Sequence, residues 1–423
     1  MTEPFDRRLA GWLDRDAAGR VPDHLAEVLV ATRVTRQRPA WSSLERWLPM
    51  AIPLRIRTAP TMSSLLLLII AAILVSILGL AIAGRQGPRF PPYGPARNGP
   101  ALQEVSGDIV RVDPVTGEQA ILINGQTTDY APWNSPDGSR FAFGRDLAAG
   151  TYLMVADASG MNVRTVAGPL VDFDSLGWSG DSRYLALIHG AGTARALTVH
   201  DVINGTQRRL DLGGLVPSTV QWLPPSGEEI VFRGQGRSLD STAIFAIRPD
   251  GSGLHALTPG GHNDSAYAGP IVSPDGRRVA YSQWEEGRIS RTHIRDLATG
   301  TDLVLPDLSP TTHPAPIAWS PDATLLLVNV NTLEGPAPST GIGQLYLFPS
   351  DLSTVGRAIG PTFALDPAGN GSLIGAAFSP DGTEVYMVHN SDRKLWTLPV
   401  AGGDATITEY QSDWLPSVER LAP

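Results

Sequence analysis

The chain has 423 residues, too many for one small domain, and 42% are apolar, enough for a sizeable core. It has no Cys, which excludes a disulfide framework, a thiolate metal site and a Cys nucleophile. The net charge of −9 is unevenly divided: residues 1–60 carry ten Arg and seven acids, whereas residues 85–423 are strongly acidic. An acidic main body speaks against nucleic-acid binding, which needs clustered Lys and Arg to replace phosphate counterions.

In chain order, residues 1–60 read as a short helical tail. Phe5, Leu9, Trp12 and Leu13 recur at helical spacing. Leu25, Val28, Leu29 and Val34 do so again, and Trp41–Trp47 gives a third amphipathic piece. Three such small helices bury little surface alone, so a cytoplasmic regulator is a candidate partner for them, with plain anchoring at a membrane surface as the alternative.

Residues 61–84 form the second segment. Between Arg57 and Arg85 no residue is charged, and Leu65–Ala83 is apolar but for Ser76. Nineteen helical residues rise roughly 30 Å, the hydrocarbon thickness of a bilayer. The Ala81-Ile-Ala83 triplet has the small-x-small form of a cleavage site, but the long N-terminal extension and the length of the run favour an uncleaved anchor. Residues 31–60 carry six Arg against four in residues 85–114, a modest bias that puts the N-terminus inside and the remainder outside the cytoplasm. Residues 85–104, rich in Pro and Gly, then read as an extended spacer.

From residue 105 to 423 the sequence repeats. The copies are Trp133-Asn-Ser-Pro-Asp-Gly138, Trp178-Ser-Gly-Asp181, Trp222-Leu-Pro-Pro-Ser-Gly227, Val272-Ser-Pro-Asp-Gly276, Trp319-Ser-Pro-Asp322 and Phe378-Ser-Pro-Asp-Gly382. Their anchors are 45, 44, 50, 47 and 59 residues apart. Pro fixes φ, Asp bonds its own backbone and Gly supplies φ > 0, so each copy is a turn between two strands. A second hairpin follows each copy, with turns such as Asp157-Ala-Ser-Gly160, Asp201-Val-Ile-Asn-Gly205 and Asp296-Leu-Ala-Thr-Gly300. One more, at Asp113-Pro-Val-Thr-Gly117, precedes the first copy. Four short strands at this period predict an all-β propeller. Trp414-Leu-Pro-Ser echoes Trp222-Leu-Pro-Pro-Ser, so two C-terminal strands are expected to complete a seventh blade with the N-terminal hairpin, six blades and a stray hairpin being the alternative.

The Trp-Ser-Pro-Asp-Gly units, each followed by a strand and an Asp-x-x-x-Gly hairpin, resemble the TolB-type, WD-repeat-like β-propeller family over about residues 105–423. That resemblance implies the propeller fold and little about activity, because the family spans periplasmic scaffolds, sensor ectodomains and the gating propellers of prolyl-oligopeptidase-like enzymes. The separate N-terminal α/β domain of TolB is missing, which argues against a Tol–Pal role. The layout of short helices, one span and an external domain also resembles membrane-bound anti-sigma regulators, without the His-Cys-Cys zinc cluster that some carry.

An enzymatic reading finds little support. Gly177-Trp-Ser-Gly-Asp181 lacks the final Gly of a nucleophile elbow and sits at a repeat turn. No metalloprotease, EF-hand, Walker or dinucleotide motif occurs, and neither a metal nor a cofactor is expected. The turn residues Asp137, Asp181, Asp275, Asp322 and Asp381 recur at one structural position and are expected to serve their own turns. Candidate ligand-binding residues instead lie just before the inner strands, in loops that open on the channel mouth: Asp129, Tyr130, Asp172, Asp174, His262, Asn263, Asp264, Tyr267, His313, Asn370 and Asp413. Acid, imidazole and amide groups converging there would suit a cation, a polar peptide or another small ligand. The expected protein is therefore a single-pass membrane protein with an extracytoplasmic binding module. Transmembrane signalling is the alternative, and a propeller hydrolase or lyase a weaker one.

Overall fold

In this computed structural model, the described residues are 91–422 except 114–115, 172, 237–240, 260, 263–268, 286–288, 310, 335–339, 366–372, 390–391 and 412–413. The tail and the apolar run at residues 61–84 lie outside them. Among the described residues no helix is long and apolar enough to cross a membrane.

Three strands come first: β1 (Arg97–Val105), β2 (Asp108–Val112) and β3 (Gln119–Ile123). Blade 1 follows as β4 (Thr128–Asn134), β5 (Arg140–Leu147), β6 (Gly150–Asp157) and β7 (Arg164–Leu170). Blade 2 is β8 (Phe173–Trp178), β9 (Tyr184–His189), β10 (Ala196–Asp201) and β11 (Thr206–Arg209). Blade 3 is β12 (Val216–Trp222), β13 (Ile230–Gln235), β14 (Ser241–Ile247) and β15 (His255–Ala256), with β16 (Gly261–His262) also paired to β14. Blade 4 is β17 (Ile271–Val272), β18 (Arg278–Glu285), β19 (Ile289–Asp296) and β20 (Asp302–Val304). Blade 5 is β21 (Thr312–Trp319), β22 (Leu325–Glu334), β23 (Thr340–Pro349) and β24 (Arg357–Leu365). Blade 6 is β25 (Leu373–Phe378), β26 (Glu384–His389), β27 (Lys394–Pro399) and β28 (Thr406–Gln411). Finally β29 (Ser417–Leu421) joins β1–β3 in the order β29-β1-β2-β3, making seven antiparallel sheets.

The closure differs from the expected pairing of two C-terminal strands with a hairpin. One C-terminal strand meets three N-terminal ones, and β1 occupies residues that read as the end of the spacer. Gly99 and Pro100 disguised it. The β29–β1 ladder shifts register between Asn98 and Ala101, so Pro100 falls at a bulge, where a missing N–H costs no ladder bond. A Cβ at Gly99 would lie 2.9 Å from the Glu419 carbonyl oxygen, so the close strand approach requires glycine.

The Ser-x-Asp turns act as closed local units. Ser135, Ser179, Ser273, Ser320 and Ser379 are buried, and their hydroxyls donate to Asp137, Asp181, Asp275, Asp322 and Asp381 at 2.5–2.8 Å. Each carboxylate also accepts the backbone N–H two residues on. Burial pushes Asp137, Asp322 and Asp381 up, but these hydrogen bonds outweigh it and hold the carboxyls below their ordinary range.

The anchor Trp residues explain the repeat. Trp178 Nε1 donates to the Trp133 carbonyl at 3.1 Å, Trp222 Nε1 to Gly177 at 2.9 Å and Trp319 Nε1 to Ile271 at 3.0 Å. Each bond ties one inner strand to that of the preceding blade. The core lies between blades: Ile188, Leu197, Val220, Trp222, Ile230 and Phe232 pack blades 2 and 3, and Leu327, Leu347, Phe363, Val385 and Met387 pack blades 5 and 6. Both faces of each central sheet are therefore apolar, as in Phe141 and Phe143 against Ala142 of β5, all fully buried.

Candidate functional site

Antiparallel order divides the connections between two faces. The Ser-x-Asp turns and outer hairpins share the turn face. The loops entering each inner strand share the opposite, loop face, where the sequence placed its ligand candidates.

Asp129 and Tyr130 stand on β4. Asp129 is fully buried, and Arg145 on β5 grips it with Nε at 2.6 Å and Nη2 at 2.9 Å. This geometry, with Arg145 also 5.4 Å from the Phe143 ring centroid, joins the inner strand to its neighbour. Tyr130 is half-buried. Its ring fills the space over Gly144 and stacks on Trp414, with centroids 5.6 Å apart and planes 21° apart. The Tyr130 hydroxyl donates to Asp146 Oδ1 at 3.4 Å, and Thr151 Oγ1 donates to the same oxygen at 2.7 Å. Burial raises the Tyr130 hydroxyl pKa, so it stays a donor at neutral pH.

Trp414 is 39% exposed and comes from the segment leading into β29. Its echo of the Trp222 segment pointed to a strand here, yet the strand begins at Ser417 and Trp414 supplies the second ring of an aromatic platform. Tyr130 and Trp414 meet only because blade 7 closes beside blade 1.

The remaining candidates are more dispersed. His313 lies on β21 opposite Asn331, half-buried, and burial lowers its pKa, favouring the neutral imidazole. Asp174 lies on β8. His262 lies on β16, paired to the far edge of β14 opposite Ser241, in the outer-strand position rather than at the channel axis. Asp172, Asn263, Asp264, Tyr267, Asn370 and Asp413 lie outside the described residues. Among the described residues no three His, Asp or Glu side chains gather in a metal-binding group.

A cavity of about 830 Å³ runs between blades 2 and 3 on the turn face, lined by Asp181, Asp201, Arg208, Trp222, Glu228 and Asp250. Several of its charges are engaged: Arg183 binds Asp201 at 2.7 Å and Arg208 donates to the Asp250 carbonyl at 2.8 Å. Turn stabilisation and blade-to-blade contact account for these.

The fold is a seven-bladed β-propeller. No protein-family model and no curated protein sequence matches the chain. Solved structures similar to it include an oligogalacturonate lyase in complex with manganese (16% identity, 71% of this chain and 83% of that chain, TM-score 0.52). One of two prolyl endopeptidases covers 89% of this chain and 57% of that chain at 14% identity, with a TM-score of 0.53. TolB from Acinetobacter baumannii is similar at 15% identity over 62% of this chain, with a TM-score of 0.41, and this chain spans just under two thirds of it. At these identities the likeness concerns fold alone.

Proposed function

We propose that this chain is a membrane-anchored binding protein whose propeller engages a protein or small ligand on its loop face, outside the cytoplasm. The stack of half-buried Tyr130 on exposed Trp414, beside Asp146, carries the reading. Paired rings offer a rigid apolar surface at low entropic cost, and the adjacent carboxylate adds a hydrogen-bond acceptor or a charge for orientation. The uncharged run Leu65–Ala83 and the Arg excess before it support the anchor and its orientation. The engagement of Asp129 and the turn carboxylates in structural bonds favours recognition over acid–base chemistry.

The test is site-specific photo-cross-linking in the native host, with the photoreactive residue at position 414 or at Ile121, an exposed position on the outer strand β3. Adducts confined to position 414, and retained when residues 1–50 are deleted, are the expected outcome. The same adducts from both positions would refute a loop-face site. Trp12 and Leu13 of the tail favour a second reading, transmembrane signalling, in which a cytoplasmic partner disappears with residues 1–50.

A further inference from the structure

The turn face carries a feature that the proposed loop-face site does not use. Residues 91–94, Pro-Pro-Tyr-Gly, lie across the channel mouth there. Ala96 N–H donates to the Pro380 carbonyl of the blade 6 turn at 2.9 Å, and the Arg420 guanidinium of blade 7 donates to the Gly94 carbonyl. The Pro321 carbonyl of blade 5 lies beside Gly94. Tyr93 reaches the turns of blades 2 and 3, and its hydroxyl is buried without a hydrogen-bond partner. Burial pushes its pKa up to about 12 against the opposing effect of Arg420, so the hydroxyl stays neutral.

The repeat itself records this contact. The residue between Ser and Asp is Pro136 in blade 1, Pro274 in blade 4, Pro321 in blade 5 and Pro380 in blade 6, but Gly180 in blade 2. A Cβ at position 180 would lie 3.0 Å from Pro92 Cγ and 3.3 Å from Tyr93 Cε2. Gly180 is not in the left-handed region, so its own backbone does not demand glycine. A larger residue there would instead be tight against Pro92 and Tyr93, which would have to shift by a few tenths of an ångström. A cavity of about 410 Å³, walled on one side by residues 92–94, is lined on the other by Trp319, Phe378, Tyr386 and turn prolines, the kind of surface on which extended proline-rich segments dock.

We propose that the turn-side mouth is a peptide-recognition site for an extended Pro-Pro-Tyr-Gly segment, opened by Gly180 and occupied in this protein by its own residues 91–94. A covalently linked occupant acts at an effective concentration in the millimolar range, so it excludes the same peptide at micromolar concentration. Loss of the resident side chains leaves the groove free to accept the peptide in trans.

The experiment uses the full-length chain in detergent and a fluorescent Phe-Pro-Pro-Tyr-Gly-Pro peptide, read by anisotropy. Wild type is expected not to bind it at micromolar concentration. The Pro92→Ser/Tyr93→Ser variant is expected to bind, and adding Gly180→Pro should weaken that binding at least tenfold. Gly180→Ala in the same background gives a milder probe that disturbs the turn least, and circular dichroism checks that each variant is folded. Failure of the folded double variant to bind overturns the proposal. So does equal binding with and without the Gly180 substitutions, or equal binding by wild type. Dimerisation of wild type lost in the double variant would show exchange of the segment between two copies, and would support the same site.

Discussion

Asp129→Asn separates an architectural role for this carboxylate from a ligand-binding one. Asp129 is fully buried, and its two bonds to Arg145 measure 2.6 and 2.9 Å. Asparagine keeps the shape and removes the charge, stranding a guanidinium whose side chain is 19% exposed. Breaking a buried pair by removing one partner costs about 3–5 kcal/mol. The lower end applies here, because Arg145 retains some water and the Phe143 ring. A loss of about 3 kcal/mol lowers the folding constant by roughly 150-fold at 1.4 kcal/mol per decade. Urea unfolding followed by Trp emission at pH 7 reads it directly. Replacing both partners, Asp129→Leu with Arg145→Met, should recover most of the loss, since no stranded charge remains. A single-variant loss under about 1 kcal/mol, combined with weaker ligand binding, would refute the structural assignment.

Three further outcomes follow from the geometry. Trp222→Phe removes the Nε1 bond to Gly177 while keeping most of the ring, and should cost about 1–2 kcal/mol in thermal or urea unfolding, much of it from the orphaned carbonyl. Deleting residues 417–423 strips β29 from β1 and exposes a strand edge, so light scattering should show self-association at concentrations where the intact chain stays dispersed. Burial pushes Asp201 up, but Arg183 and the N–H groups of Asn204 and Ile203 outweigh it and take the pKa to about 2. A carboxyl lowered on folding stabilises above its unfolded pKa of about 3.9, and that contribution fades as pH falls toward 2. The stability difference between wild type and Arg183→Gln should therefore be constant above about pH 5 and shrink between pH 4 and 2, as measured by urea midpoints across pH.

The propeller was legible because its signals are local. Ser, Pro, Asp and Gly within one turn state their own geometry, and the Trp period marks the blades. The candidate site depends on distant parts of the chain and on irregularities that counting misses. Asn134 pairs with Phe141, so a regular ladder would set Asp129 opposite Asp146; the shift between Tyr130 and Trp133 brings Arg145 there instead. Asp129 and Tyr130, adjacent in sequence, are thus divided between a buried ion pair and an aromatic platform. Trp414 stacks on Tyr130 only because the ring closes, and no local pattern announces that contact. Gly180 was visible as a departure from its repeat, but its meaning depends on Pro92 and Tyr93, which composition assigned to a spacer.

The shared seventh blade also sets a schedule for biosynthesis. Arg97 donates to the Ala422 carbonyl across 325 residues, and β1 has no partner on that side until β29 is made. At 5–20 residues per second, roughly 16–65 s separate the emergence of the two. Throughout that interval the nascent chain presents an unpaired β1 edge while six complete blades accumulate behind it. A chain released before β29 is made leaves β1 unpaired on that side, so its ring cannot lock.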